Sequence, residues 1–354
     1  MVSDIRDFLG EDWFRTEALM KRYLSSDVSL LDKLNRSLLE GSGKKLRPML
    51  CLLVAKAVGG QVCEDACHYA AAMELLHNAT LLHDDVVDGS EMRRGRPTLQ
   101  ALMGGTASVL TGDYWLVKAL ECILDAKGEE RDEVLRMFSW TLSSLASGEI
   151  LQLQMALSGE TKEEEYLRII RCKTACLFET AAVSGALAEE AAPEVVEGVR
   201  AFALNLGLAF QIRDDILDYT GGTELGKPVG QDLIEQKITL PLLEALTDAT
   251  PEEEATIRRK VREIGDHPEY REEIVAFVAA HDGIARATGR LDGFIATAKD
   301  ALHALGMTDS DGGSAPSFHG LSSACGSAPS FHGLSVESVG WLLRLADFTA
   351  LRNV

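Results

Sequence analysis

The chain has 354 residues, 46% of them apolar and only nine of them proline, which is enough material for a sizeable buried core in one or two domains. Its formal net charge of −20 excludes nucleic acid and anionic membrane as general partners, because phosphate-bearing surfaces are bound by net positive ones. Any anionic ligand must therefore meet a locally basic site.

The N-terminal stretch MVSDIRDFLGEDWF is acidic and lacks the pattern of a secretory signal, so a cytoplasmic protein is expected. Strand-like runs of β-branched and aromatic residues are almost absent. Segments rich in Ala, Leu, Glu, Lys and Arg extend for about fifteen residues or more, which predicts an all-α architecture. Gly43-Lys44-Lys45-Leu46-Arg47-Pro48 reads as a loop opening a helix, with Pro48 tolerated in the first turn. Helices are predicted at roughly 48–58, 63–88, 97–103, 107–125, 130–157, 163–190, 194–219, 232–247, 252–264, 270–281 and 283–305. Joined by short turns, they should pack as a bundle around one core, a single domain spanning 1–354. No uncharged apolar run reaches eighteen residues, so no integral membrane segment is expected.

Residues 308–335 break this texture. The ten residues GSAPSFHGLS stand at 313–322 and again, identically, at 326–335. Two polar, Gly/Ser-rich copies cannot bury enough surface to offset their ordering entropy, so a mobile surface insertion is expected. The other reading is a docking or metal-binding use of His319 and His332. The seven cysteines show no zinc-finger spacing and are read as ordinary buried thiols.

Two stretches carry the chemistry: HDDVVD at 83–88 and RDDILD at 213–218, each at the end of a strongly apolar segment. On a helix Asp84 and Asp88 are i and i+4 and share a face, whereas Asp85 is rotated by about 100°. Two carboxylates ~4 Å apart repel by roughly 4 kcal/mol at an effective dielectric of 20, so a cation is needed between them. Oxygen ligands with no nearby cysteine favour magnesium, which characteristically bridges carboxylates and substrate phosphates. Asp214 and Asp218 repeat the spacing, and Asp215 lies i+4 from Gln211. One such cluster alone would read equally well as a solvated helix end. Two copies, each flanked by apolar helix, do not.

Cations surround the clusters at helix ends or turns: Lys44, Lys45 and Arg47, then Arg93, Arg94 and Arg96, then Lys173, Lys227 and Lys237. Guanidinium forks and ammonium groups are the expected phosphate partners. His77 shares a helix face with Asp84 and Asp88 but stands ~10 Å from Asp84 along the axis, too far to share an ion.

In the stretches GKKLRP (43–48), ELLHNATLLHDDVVDGSEMRRGRPT (74–98), GDYW (112–115), GEILQL (148–153), KTACLF (173–178), AFQIRDDILDY (209–219), GKPVGQDLIEQKITLP (226–241) and LADF (345–348), the chain resembles the trans-isoprenyl diphosphate synthases, or polyprenyl synthetases. These stretches run in family order over nearly the whole chain. The resemblance implies an all-α isoprenoid synthase bundle, usually a homodimer, with the two aspartate motifs across a central cavity. It implies magnesium held directly by Asp84, Asp88 and Asp214, with Asp85, Asp215 and Asp218 in direct or supporting roles. Lys44, Arg47, His77 and Arg94 would hold isopentenyl diphosphate. Arg93, Lys173, Gln211, Lys227 and Lys237 would hold the allylic diphosphate, with Gln152 and Thr174 nearby. The tandem insertion and Arg213 depart from the family pattern.

The same resemblance runs the growing chain along the helix upstream of the first motif, where an aromatic five residues before the first Asp stops growth early. This sequence has Ala79 there, and its face continues through Leu75, Leu76, Ala72 and Ala71, so a long-chain product of the kind used for quinone side chains is expected. Phe138, Trp140 and Trp115 are the alternative floors, and a short-chain (farnesyl or geranylgeranyl) product is the alternative outcome. A terpene cyclase shares the fold, but its second metal motif normally mixes residue types. A non-catalytic regulatory subunit tends to lose one aspartate cluster, and both clusters are intact here.

Overall fold

In a computed structural model, residues 1–41, 43–221, 229–308 and 333–351 are described. Among them the chain forms α1 (Val2–Leu9), α2 (Glu11–Leu24), α3 (Ser29–Gly41), α4 (Leu46–Gly59), α5 (Glu64–Val87), β1 (Met92–Arg93), β2 (Arg96–Pro97), α6 (Leu99–Met103), α7 (Gly105–Leu124), α8 (Arg131–Ser158) and α9 (Glu163–Ile170). A π-helical turn (Arg171–Ala175) follows, then α10 (Cys176–Ala188), α11 (Pro193–Thr220), α12 (Gln231–Ile234), α13 (Leu240–Leu246), α14 (Pro251–Arg262), α15 (Tyr270–Ala280), α16 (Gly283–Ala304), β3 (Met307–Thr308), β4 (Leu334–Ser335) and α17 (Val336–Leu351). The all-α expectation holds, and the described strands are two-residue pairs.

Contacts divide the chain into two compact units. The first contains Met1–Phe138, Thr180–Arg200 and the described part of Leu302–Leu343; the second contains Ser139–Glu179, the described part of Ala201–Ala301 and the described residues from Arg344 onward. The first unit is built on α4 and α5, which are buried nearly all round. On α4 Met49 to Ala55 have no exposed surface, and on α5 the run Ala70-Ala71-Ala72 is equally covered. Small side chains let neighbouring backbones approach closely. The Trp115 indole of α7 donates to Asn35 Oδ1 at 2.8 Å, and Asn35 Nδ2 donates to the Leu24 carbonyl at 2.7 Å, which ties α2, α3 and α7 together.

Three departures from the predicted elements stand out. Helices α1 to α3 precede the first predicted helix, each burying a narrow face such as Ile5 and Leu9 of α1. The predicted helix 163–190 is interrupted by the π-turn, which in the second unit packs against bare backbone of α11: a Cβ on Gly207 would lie 2.5 Å from Ala175 Cα. The predicted helix 232–247 splits into α12 and α13, the latter entered through Pro241 in its first turn.

Of the tandem repeat, Gly333-Leu334-Ser335 is described, and the rest, with His319 and His332, lies outside the described residues. Six cysteines are described as free thiols, four of them buried. Helix α11 is long and apolar enough to cross a membrane by length and composition, but 56% of that window is buried in the protein and the helix carries the second aspartate cluster.

Candidate active site

In the first unit, α5 delivers the first cluster at its C-terminus. Asp84 lies in the last turn and Asp88 is the C-cap, still helical at φ −81°, so the two keep their i,i+4 stacking. A helix C-terminus carries a partial negative charge, so these carboxylates are disfavoured by the helix as well as by each other. Asp85 turns away: it is buried and accepts from Arg93 Nε at 2.6 Å. Arg93 belongs to the β1–β2 hairpin, whose two-residue turn, Arg94-Gly95, has positive φ at both positions (52° and 73°). Glycine tolerates that region, whereas arginine is strained there. The turn places the Arg94 guanidinium against Gly43, where a Cβ would stand 2.5 Å from Cζ.

Around Arg94 a basic pocket forms with residues of α4 and α5. Burial first, and then the charges of Arg47, Arg94 and Arg93, hold the His77 imidazole well below its usual range, so it is neutral at physiological pH. Its Nδ1 is buried and has no hydrogen-bond partner among the described residues. One turn earlier, Glu74 is buried and accepts from Asn78 Nδ2 at 3.0 Å. Burial raises the Glu74 carboxyl, and the Asn78 hydrogen bond, Arg47, Lys45 and Arg94 oppose the rise. Lys44 is half-buried in the loop that leads into α4, and its neighbour Lys45 pairs with Glu17 at 3.1 Å.

In the second unit a cavity of about 140 Å³ is lined by Gln152, Lys173, Thr174, Gln211, Asp215 and Lys237, all predicted, and by Tyr166 and Asp232, which were not. Lys173 and Thr174 sit on the π-turn, a distortion frequent at functional sites. Lys173 pairs with the Glu149 carboxylate and donates to Gln152 Oε1 at 3.1 Å, and Lys237 pairs with Glu235. Asp215 is pushed up to about 7 by burial, with the Asp214 and Asp218 charges adding and the hydrogen bonds from Tyr166 and Gln211 opposing. Asp232 is raised strongly, again by burial first and then by Asp215 and Asp218, against Lys237. Asp218 spends its carboxylate on α12, accepting from the backbone amides of Gln231 and Asp232 at 3.0 and 3.1 Å. Asp214, one residue before Asp215, is half-buried. Lys227 lies outside the described residues.

Glu74, Glu149, Tyr166 and Asp232 are the site residues that sequence reasoning missed. Three of them stood inside quoted motifs (ELLHNA, GEILQL and GQDLIEQK), and the charge of each, set beside a predicted cation or aspartate, was the available signal. Tyr166, seven residues before Lys173, had none. Of the residues expected to line a chain tunnel, Ala79, Leu75, Leu76, Ala72 and Ala71 are buried on α5, and the Ala79 carbonyl approaches α7 at Gly112. Trp115 and Phe138 are fully buried, while Trp140 is 45% exposed.

Comparison with known proteins agrees with this arrangement. The sequence profile of the polyprenyl synthetase family matches residues 28–278. The octaprenyl diphosphate synthase of Escherichia coli is 41% identical over 265 residues, covering 74% of this chain and 80% of that enzyme. A decaprenyl diphosphate synthase from Rhodobacter capsulatus superposes with a TM-score of 0.84 at 32% identity, covering 99% of this chain and 98% of that one. A polyprenyl synthase from Caulobacter crescentus, complexed with calcium and isoprenyl diphosphate, also gives 0.84, at 30% identity over 100% and 98% of the two chains. With the basic pocket beside one aspartate cluster and the lysine-lined cavity beside the other, the matched profile and these relatives establish that the chain belongs to the polyprenyl synthetase family.

Proposed function

We infer that this chain is a prenyltransferase that condenses isopentenyl diphosphate head-to-tail with an allylic diphosphate, making a linear, long-chain trans-polyprenyl diphosphate. The observation that carries the reading is the division of basic groups between two settings of different chemistry. Arg47 and Arg94 stand about a neutral His77 in one unit, and Lys173, Lys237, Thr174 and Gln211 line a cavity in the other.

The first set suits isopentenyl diphosphate, whose diphosphate must be held but not activated. The two guanidiniums offer forked donors, and a neutral imidazole donates one N–H without adding charge. The second set suits the allylic diphosphate. There the ammonium groups of Lys173 and Lys237 offset charge as it develops on the departing oxygen, which favours ionisation to the allylic cation. The isopentenyl double bond adds to that cation, and a proton leaves to the released pyrophosphate.

Asp84, Asp88 and Asp214 would hold magnesium. Their donors are all oxygen, the ligand type that magnesium takes together with substrate phosphates. Bound magnesium supplies electrostatic stabilisation of the leaving diphosphate. The calcium and isoprenyl diphosphate of the Caulobacter enzyme support this assignment.

A homodimer in the cytoplasm completes the reading. It is supported by the stripe Leu110, Val117 and Leu124 on α7, at seven-residue spacing and 64%, 52% and 53% exposed. Incubation of the purified protein with an allylic primer, isopentenyl diphosphate and magnesium, followed by sizing of the dephosphorylated products, tests the whole assignment. A ladder of linear all-trans polyprenols is expected, and a cyclic hydrocarbon or no product refutes it.

Gly43 gives a second expected result. Its Cβ would displace only the flexible end of Arg94, so Gly43→Ala should leave the melting temperature near wild type. It should raise KM for isopentenyl diphosphate about tenfold, the equivalent of ~1.4 kcal/mol, or one charge-assisted hydrogen bond. An unchanged KM removes Arg94 from the isopentenyl site.

A further inference from the structure

Tyr166 belongs to none of the aspartate or lysine motifs, yet it begins a chain of hydrogen bonds that runs from a buried pair to the part-buried wall of the second unit's cavity. Its hydroxyl donates to Asp215 Oδ2 at 2.6 Å, and both residues are only 3% exposed. Gln211 Nε2 donates to the other oxygen, Oδ1, at 2.8 Å. Thr174 Oγ1 then donates to Gln211 Oε1 at 2.7 Å. Tyr166, Thr174, Gln211 and Asp215 all line the cavity, beside Lys173 and Lys237.

The three bonds run in one direction through the chain. A phenol has one proton, and Tyr166 commits it to Oδ2. With both Asp215 oxygens accepting, Gln211 presents its NH₂ end to Asp215 and its carbonyl oxygen to Thr174. If Oδ2 loses its donor, the Asp215 carboxyl is free to rotate, and the Gln211 amide can turn end for end. That would replace a carbonyl oxygen with an NH₂ group beside the reacting centre. Next to a developing allylic cation the first is favourable and the second is not, because preorganised dipoles act on charge as it forms.

We propose that Tyr166 is a positioning residue for the prenyl-transfer reaction: through Asp215 it sets the orientation of the Gln211 side-chain amide, and with it the polarity of the cavity wall at which the allylic diphosphate ionises. This rests on the prenyltransferase reading given above. It adds a residue that acts through Asp215 and Gln211, and it predicts an effect on the ionisation step rather than on binding of isopentenyl diphosphate.

Three measurements on the full-length enzyme test it. Wild type is assayed first, and absence of polyprenyl product there refutes the prenyltransferase reading itself. With wild type active, Tyr166→Phe is expected to lower kcat roughly 10- to 100-fold, the scale of a small misplacement at a reacting centre, while KM for isopentenyl diphosphate stays within about twofold. A tyrosine that merely packs would keep kcat in the phenylalanine variant and lose only thermal stability, and that result overturns the proposal.

In a Gln211→Met background the same substitution is expected to lower kcat by less than about twofold further, because the two residues act in series. A full multiplicative loss overturns the route through Gln211. The third measurement needs no variant of Tyr166 and so stands even if Tyr166→Phe fails to fold. In ¹⁵N-glutamine-labelled wild type, one Gln211 amide proton should be downfield-shifted and protected from exchange by its bond to Asp215, and a freely exchanging Gln211 amide overturns the proposal.

Discussion

Asp84→Ala and Asp214→Ala are each expected to lower kcat at least about 10³-fold, the scale of several kcal/mol that removing metal-borne charge stabilisation implies. Neither should unfold the protein, because Asp84 stands in the last turn of α5 and Asp214 is half-buried near the end of α11, outside the buried core of either helix.

Asp218→Ala makes the contrast within the second cluster. Its carboxylate accepts from two backbone amides at the start of α12, so its loss should cost roughly 0.5–2 kcal/mol of stability. Steady-state kinetics on the alanine variants, with thermal melts in parallel, decide the matter. A fully active Asp84→Ala/Asp214→Ala double mutant sinks the assigned chemistry.

What could be read from the chain and what could not divides along one physical line. The faces of α5 and α11 followed from 3.6-residue periodicity, so the pairing of Asp84 with Asp88 and the rotation of Asp85 by about 100° away from them could be read from the sequence. Which of those groups already hold a partner was not. Asp85 is tied to Arg93, Lys173 to Glu149, Lys237 to Glu235, and Asp218 to the amides of α12. Each of these ties depends on where side chains and turns meet, which a one-dimensional period does not encode.

The π-turn is a second case of the same kind. Nothing in RCKTA departs from helical propensity; the local unwinding coincides with bare glycines on two neighbouring helices, where a Cβ on Gly148 would stand 2.7 Å from Cys172 Cβ and one on Gly207 2.5 Å from Ala175 Cα. The left-handed Arg94 is a third, since a hairpin turn usually advertises itself by Asn-Gly and here the sequence reads Arg-Gly. Helices α1 to α3 were legible and were passed over: each carries a clear amphipathic period, with Ile5 and Leu9 on one face of α1 and Trp13, Thr16, Met20 and Leu24 on one face of α2.

Ala79→Phe is expected to move the product distribution from long polyprenols to species of about three or four isoprene units. Position 79 is buried on α5, about one helical turn N-terminal of Asp84, and each turn advances ~5.4 Å, comparable with one extended isoprene unit. A chain growing along this face meets Leu76, Leu75 and Ala72 in succession, and a phenyl ring at 79 blocks it before them. The ring has little room to turn aside, because the backbone at Ala79 packs against α7 where Gly112 already lacks a side chain. Overpacking of this kind costs typically 1–3 kcal/mol, so the variant should melt lower yet stay folded at assay temperature. The first condensations occur nearest the aspartates and need none of the blocked space, so consumption of isopentenyl diphosphate should persist while the average product shortens. Trp115→Ala separates the competing wall: it should leave the length unchanged if α5 governs, and lengthen the product if the buried indole on α7 is the floor. An unshortened ladder from Ala79→Phe, sized beside wild type at equal turnover, would take chain-length control away from α5.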